Sequence, residues 1–196
     1  TGEVLKDNLI QNSGAKPGDS LLLTKPLGTG IISTGIKKEA ASSNSTTQAI
    51  ESMIMLNELA GSILHKFSVN AATDVTGFGL LGHAIEMCKS SNVSFHINFK
   101  DLIFFSEVRE LANEGFIPGG SKRNLSYANK FADFSDSITK IERLMIADAQ
   151  TSGGLLISLP KKNTKQFLEY YNAKSSIPAF QIGSVKAKMD NLITIS

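Results

Sequence analysis

Apolar residues recur with two periods along this chain. At Ser20-Leu21-Leu22-Leu23-Thr24 a short run with no polar interruption predicts a strand, fed by the turn cluster Gly14 to Asp19 and closed by Pro26, Gly28 and Gly30. Ile31 to Lys38 has room for a short helix, and Ser42 to Ser45 reads as an exposed loop. The clearest helical spacing joins Ala49, Ile50, Met53, Leu56, Ala60, Ile63, Leu64 and Phe67, which predicts one helix over 46–67. Ser45-Thr46-Thr47-Gln48 has the form of a capping box at its start, and Gly61 weakens its middle. Ala71 to Val75 predicts a short strand. Gly77-Phe78-Gly79 turns into a helix through Lys89, and Val93 to Phe99 alternates as a strand.

Further along, helices are expected over 105–115, with Gly115 just past the end, and over 137–147 and 164–173. Pro118-Gly119-Gly120 reads as a turn. Strands are expected over 154–159, 180–186 and 192–195. Strands and helices are interspersed, with strand-to-strand steps late in the chain. The fold class expected is α+β: a mixed β-sheet flanked by helices, in one domain over 1–196 with no internal repeat.

Composition narrows the classes. The chain has 196 residues, 41% of them hydrophobic, enough for a full core. Charged residues are 19% and the formal net charge is +2, with Lys and Arg scattered, so no strong field favours nucleic acid or acidic lipid. Apolar runs of about four residues are far short of the ~20 a membrane span needs. No basic-then-apolar leader opens the chain. A single cysteine, Cys88, allows neither an internal disulfide nor a Cys-type metal cage, and it fits a reduced, cytoplasmic protein.

Four segments could carry chemistry. In Thr73-Asp74-Val75-Thr76-Gly77-Phe78-Gly79 an Asp ends a strand beside a glycine turn and a helix start. Unpaired N–H groups at such a start suit phosphate, and a neighbouring carboxylate suits Mg²⁺. Equally, Asp74 caps the turn and the glycines only permit it. Gly77 to Gly82 also matches G-x-G-x-x-G, with Asp101 placed as a ribose-binding acid would be, so a dinucleotide fold is an alternative. Pro118-Gly119-Gly120-Ser121-Lys122-Arg123-Asn124 offers free backbone and two cations for phosphate, or an ordinary surface turn. Ala147-Asp148-Ala149-Gln150-Thr151-Ser152-Gly153-Gly154 is either a donor-rich loop or a tight bend with close backbone packing. Leu23 to Gly30 places Lys25 on a glycine–proline loop without the ending of a P-loop. The three histidines, His65, His83 and His96, have no metal-ligand spacing and read as structural, and Cys88 reads as a core thiol.

Taken in order, these segments resemble the selenophosphate synthetases (selenide, water dikinases). The matching stretches are Gly14 to Asp19, Leu23 to Ile31, Thr73 to His83 with Glu86-Met87, Pro118 to Gly120 with Asn124, and Gln150 to Leu155. Ser121 stands where that family usually has Thr, and Ala149 where it usually has Pro. The resemblance implies the C-terminal domain of the aminoimidazole ribonucleotide synthetase-like fold, with an N-terminal ATP-binding domain lying outside this chain. It implies ATP and selenide as substrates, Mg²⁺ as cofactor, a homodimer in the full-length protein, and no nucleic-acid or membrane partner. Asp74 matches a metal ligand. Thr76, Gly77, Gly119, Gly120, Lys122 and Asn124 are the expected nucleotide contacts. The family's reactive Cys or selenocysteine and its partner Lys match no position here, so no catalytic residue is expected in this chain. The alternative is a non-catalytic nucleotide-binding module of the same fold.

Overall fold

The run Leu21-Leu22-Leu23 leaves no strand face for water, and the computed structural model, which describes residues 9–196, buries it at the centre of a sheet. Strand β1 (Asp19–Leu23) sends Leu21 and Leu23 into one apolar cluster and Leu22 into another on the opposite face. It pairs antiparallel with β5 (Leu155–Pro160) on one side and β6 (Phe180–Ala187) on the other. Beyond β5 lies β2 (Ala71–Asp74). Beyond β6 lie β3 (Val93–Ile97), β7 (Ile193–Ile195) and β4 (Ala132–Phe134). The order is β2-β5-β1-β6-β3-β7-β4, antiparallel except for the β3–β7 and β7–β4 pairs. The mixed sheet is as expected, and β4 is an edge strand that the sequence pattern did not reveal.

Helices close both faces. On one, α4 (Gly79–Ser91) lays Leu80, Leu81, Ala84, Ile85 and Cys88 on the sheet beside α6 (Gly119–Ala128). On the other, α3 (Glu58–Ile63) and α8 (Thr164–Asn172) cover Leu22, Ile157 and Leu159. A third cluster lies among α1 (Thr29–Lys37), α2 (Ser43–Ile54), α5 (Val108–Asn113) and α7 (Lys140–Ile146). Among the described residues no helix is long and apolar enough to cross a membrane.

Several boundaries differ from expectation. The single helix over 46–67 is broken after Ile54 into α2, α3 and a short 3₁₀ turn at His65–Phe67. The buried Lys25 ammonium captures the carbonyls of Ser52 and Met55, which a continuous helix would give to the N–H groups of Leu56 and Leu59. Ser42 to Ser45 is not an exposed loop. Ser42 accepts from the Ser45 N–H as the cap of α2, and Ser45 is buried, donating its hydroxyl to Glu107. The Ser45–Gln48 capping box does not form, because Gln48 Oε1 accepts from Ser106 instead. A capping box does open α7, between Thr139 and Glu142. Pro118 to Gly120 is a helix start rather than a turn, with Pro118 at the cap of α6.

The G-x-G-x-x-G match opens α4, but β2 and β3 are not neighbours; β5, β1 and β6 stand between them. A dinucleotide fold needs those strands parallel and adjacent, so that alternative fails on topology. Asp101 lies in a 3₁₀ turn and accepts from Asn98.

Gly61 in α3 is exposed, and an added Cβ there would meet open space. Gly61→Ala is expected to stabilise the fold by about 0.5–1 kcal/mol, read as a higher urea midpoint at unchanged slope.

Candidate functional site

The loop 24–30 after β1 and the loop 148–154 before β5 grip each other. Asp148 is fully buried. One carboxylate oxygen accepts the Gly30 and Ile31 N–H groups at the start of α1, and the other accepts the Ser121 hydroxyl at 2.7 Å. The Gln150 carbonyl oxygen takes the Gly28 and Thr29 N–H groups and the Thr29 hydroxyl, while its amide donates to the Asp148 carbonyl. Lys25 donates to the carbonyls of Ser52, Met55 and Ser152 at 2.8, 2.6 and 2.9 Å, using all three of its protons. Burial lowers its pKa, yet three acceptors around Nζ require the ammonium form. Burial likewise pushes Asp148 up to about 6, against four donors that favour the carboxylate. A Cβ at Gly30 would overlap the Ala149 carbonyl, and one at Gly154 would overlap the Lys25 N–H. Of the two readings of the 148–154 segment, the tight bend with close backbone packing describes it.

This clasp shapes the end of β2. Val75 donates its N–H to Gly154, and the Gln150 N–H donates to the Thr76 carbonyl. Gly79, at φ +67°, lies so close to the Ala147 and Asp148 carbonyls that a side chain would collide. Thr76 is fixed from the other side: its N–H and its hydroxyl both lie 3.1 Å from His83 Nε2. That geometry needs an unprotonated Nε2, hence neutral His83 with its proton on Nδ1. Burial lowers the His83 pKa, opposed by the charges of Asp74 and Glu86.

Asp74 itself is exposed at the strand end, and among the described residues no side chain bonds its carboxylate. Asn124 donates to the carbonyls of Gly77 and Ala147, which brings α6 against the Asp74–Gly77 turn. Gly119 and Gly120 form the first turn of α6, whose N-terminus has no capping side chain. Thus Asp74, Thr76, Gly77, Gly119, Gly120 and Asn124 belong to one region of the surface. Lys122 does not join them by any bond. Arg123, on the next helical position, lines a groove of about 560 Å³ with Phe78, Gly82, Glu86, Asn124 and Tyr127. Ser121 supplies the hydroxyl that holds Asp148, and the Ala149 N–H donates to that same hydroxyl. His83, expected to be structural, is the side chain that sets the Thr76 turn. Cys88 is buried and its thiol pushed up to about 12.

Mg²⁺ binds through one or two carboxylates plus phosphate oxygens and water. The unpartnered Asp74 fits one such ligand. Among the described residues no group of three or more His, Cys, Asp or Glu could hold a metal.

The family model for the AIR synthase related protein, C-terminal domain, matches residues 16–194. The chain belongs to that family. It is 39% identical over 194 residues to selenide, water dikinase 2 of Peptoclostridium acidaminophilum, covering 99% of this chain and 56% of that protein. It is 44% identical over 190 residues to the selenide, water dikinase of Caldanaerobacter subterraneus subsp. tengcongensis, covering 97% and 55%. The chain therefore spans about half the length of these curated relatives. Its fold is shared with hydrogenase maturation protein HypE in complex with ATP, at TM-score 0.62 and 19% identity over 95% of this chain and 48% of that one. It is shared too with thiamine-monophosphate kinase from Stenotrophomonas maltophilia, at TM-score 0.67 and 17% identity, covering 98% and 54%. This AIR synthase-related domain fold is the one the sequence resemblance implied.

A lowered His83 pKa means that its contribution to stability is full above the ordinary value of 6.5 and is lost as pH falls through the folded value. An NMR titration of the His83 ring is expected to give a midpoint below 6.5, with the Thr76 amide losing protection relative to its intrinsic exchange rate over the same range. A midpoint at or above 6.5 contradicts the neutral, acceptor-Nε2 arrangement.

Proposed function

We propose that this chain is the C-terminal half of an ATP-dependent selenide, water dikinase, which makes selenophosphate from selenide, ATP and water with release of AMP and phosphate. The observation that carries the reading is the exposed Asp74 at a strand end, its carboxylate without a side-chain bond, three residues before Gly77, whose carbonyl ties that turn to Asn124 of the uncapped α6. The names of the relatives supply the reaction.

Each residue then has a task. Asp74 is one ligand of a phosphate-bound Mg²⁺. The metal, when bound, neutralises phosphate charge and favours its transfer. Gly77 presents its backbone N–H to the phosphates from a turn fixed by Asn124 and by Thr76, whose own N–H and hydroxyl are held by His83. Gly119 and Gly120 lack side chains that would hold a ligand away from the first N–H groups of α6, where partial positive charge favours an anion. Arg123, whose Nη1 lies 3.4 Å from where a Cβ on Gly119 would sit, takes the cationic role at the start of α6. No residue of this chain is assigned as nucleophile or proton carrier. The full-length protein, read as a cytoplasmic homodimer, brings those from an N-terminal half together with most of the ATP site.

A non-catalytic binding module stays in view because one carboxylate alone makes a poor metal site. The decisive test uses the full-length protein. Asp74→Asn is expected to lower selenide-dependent AMP release by about a hundredfold, with the deficit eased by raising Mg²⁺. This chain by itself is expected to release no AMP. Activity unchanged in Asp74→Asn would remove the metal assignment, and selenide-dependent AMP from this chain alone would remove the half-enzyme reading.

A further inference from the structure

An antiparallel sheet can leave one face to water, and α3 and α8 cover theirs only as far as Leu22 of β1. Beyond it the same face carries Gln181, Ser184 and Lys186 of β6, His96 of β3 and Thr194 of β7, none of them buried. Strand pairing sets several of these in one row. Ser184 lies opposite Ser20 of β1 on one side and opposite His96 on the other, and Thr194 continues the row beyond His96. A bulge sets up this row. Leu21 and Leu22 oppose Gly183 and Gln181, so Ile182 is an extra residue, and Ile182 and Val185, three apart, both enter the core on the α4 side. Gly183 lies so close to β3 that a Cβ would overlap the His96 carbonyl.

Over these small side chains lies a groove of about 540 Å³. Its floor is Ser20, Ser184 and His96, and exposed Lys161, Lys186 and Asp101 stand at its rim. Ser20 is 2% exposed, yet among the described residues its hydroxyl has no partner. A buried hydroxyl left so is costly unless something in the groove meets it. The Ser184 hydroxyl is equally free. His96 is held by Thr194 at Nδ1 and by Ser196 at Nε2, so its ring is a fixed part of the floor. Among the described residues no ion pair or hydrogen bond engages the ammonium of Lys161 or of Lys186. The neighbouring carboxylates are engaged elsewhere: Asp19 turns to Asn70 and Ser158 on the opposite face, and Asp101 accepts from Asn98. Two free cations and two free hydroxyls around one space suit an oxyanion of more than one charge.

We propose that this groove binds the phosphate group of a small molecule, its charge met by Lys161 and Lys186 and its oxygens by the Ser20 and Ser184 hydroxyls. The volume leaves room beyond the phosphate for an organic part, beside Gln181 and Asp101. The groove is separate from the Asp74 turn. Along β5, Leu155 sits beside Asp74 and Leu159 beside Ser20, four residues or about 13 Å apart. The proposal therefore stands whether or not Asp74 holds a metal.

The test is lysine acetylation of the full-length protein, resolved residue by residue by mass spectrometry. It is run at one ionic strength in potassium chloride, with inorganic phosphate, or with adenosine monophosphate. Lys161 and Lys186 are compared with Lys162, an exposed neighbour outside the groove, and with Lys140 on α7. Either probe at millimolar concentration is expected to slow acetylation of Lys161 and Lys186 by about threefold or more, with Lys162 and Lys140 unchanged. Protection by inorganic phosphate assigns the site to the phosphate group alone. Protection by the monophosphate only shows that the organic part adds binding, and either result supports the proposal. Lys186→Ala, a change at an exposed position, is expected to abolish the protection of Lys161. Ser184→Val, which fills the floor without altering charge, is expected to do the same, and Asp74→Asn to keep the protection. The proposal is overturned by no protection from either probe, by equal slowing at all four lysines, by protection of Lys161 that survives both groove variants, or by protection lost in Asp74→Asn.

Discussion

The grip between the loop after β1 and the loop before β5 is the constraint on which the rest of the structure depends. It is polar and buried, which is costly unless every group finds a partner. Here Lys25, Asp148 and Gln150 are each satisfied by the opposing backbone. A buried ammonium ringed by three carbonyls and a buried carboxylate at a helix start are not paired with each other. Each instead ends a piece of backbone: Lys25 stops α2, and Asp148 starts α1. Gly30 and Gly154 let the two loops come close enough, and Gly153 lets the end of β2 do so, since a Cβ at any of them would overlap backbone.

From that grip the candidate site follows by short steps. Gly154 and Gln150 fix Val75 and Thr76, His83 completes the turn, and Asn124 adds α6. What remains free is what a nucleotide-handling surface needs: one carboxylate, unpaired N–H groups and an accessible cation. The division of labour is consistent. Residues with engaged polar groups, Thr76 and Asn124 among them, build the platform, and the groups proposed to meet phosphate are others.

Much of this was legible in the chain because it is local. The triple Leu of β1 and the glycine turn into α4 announce their elements, and Asp74 stands out as a candidate ligand, within a few residues. What was hidden depends on distance along the chain. The break after Ile54 is made by Lys25, 27 residues before the carbonyl of Ser52 that it captures, so helical spacing alone ran straight through it. Four successive polar residues, Ser42 to Ser45, look like solvent-facing loop, and only Glu107 reveals Ser45 as buried. The segment of Asp148 and Gln150 reads equally as a donor-rich loop or a tight bend, because nothing nearby in sequence shows that loop 24–30 occupies those two side chains. Lys122 and Arg123 are equivalent as letters. The helical turn from Gly119 to Asn124 decides that Arg123 faces the groove.

Hydrogen exchange on Lys25→Met tests the grip most directly, because Met keeps the bulk of the side chain and removes all three donors. The account predicts faster exchange, by about tenfold or more, at the Val75, Thr76 and Gly79 amides, with β3 and β7 at the far edge unchanged. Exchange at 75–79 that matches the parent protein, or an equal acceleration everywhere in the sheet, would contradict the claim that this grip holds the Asp74 turn in place.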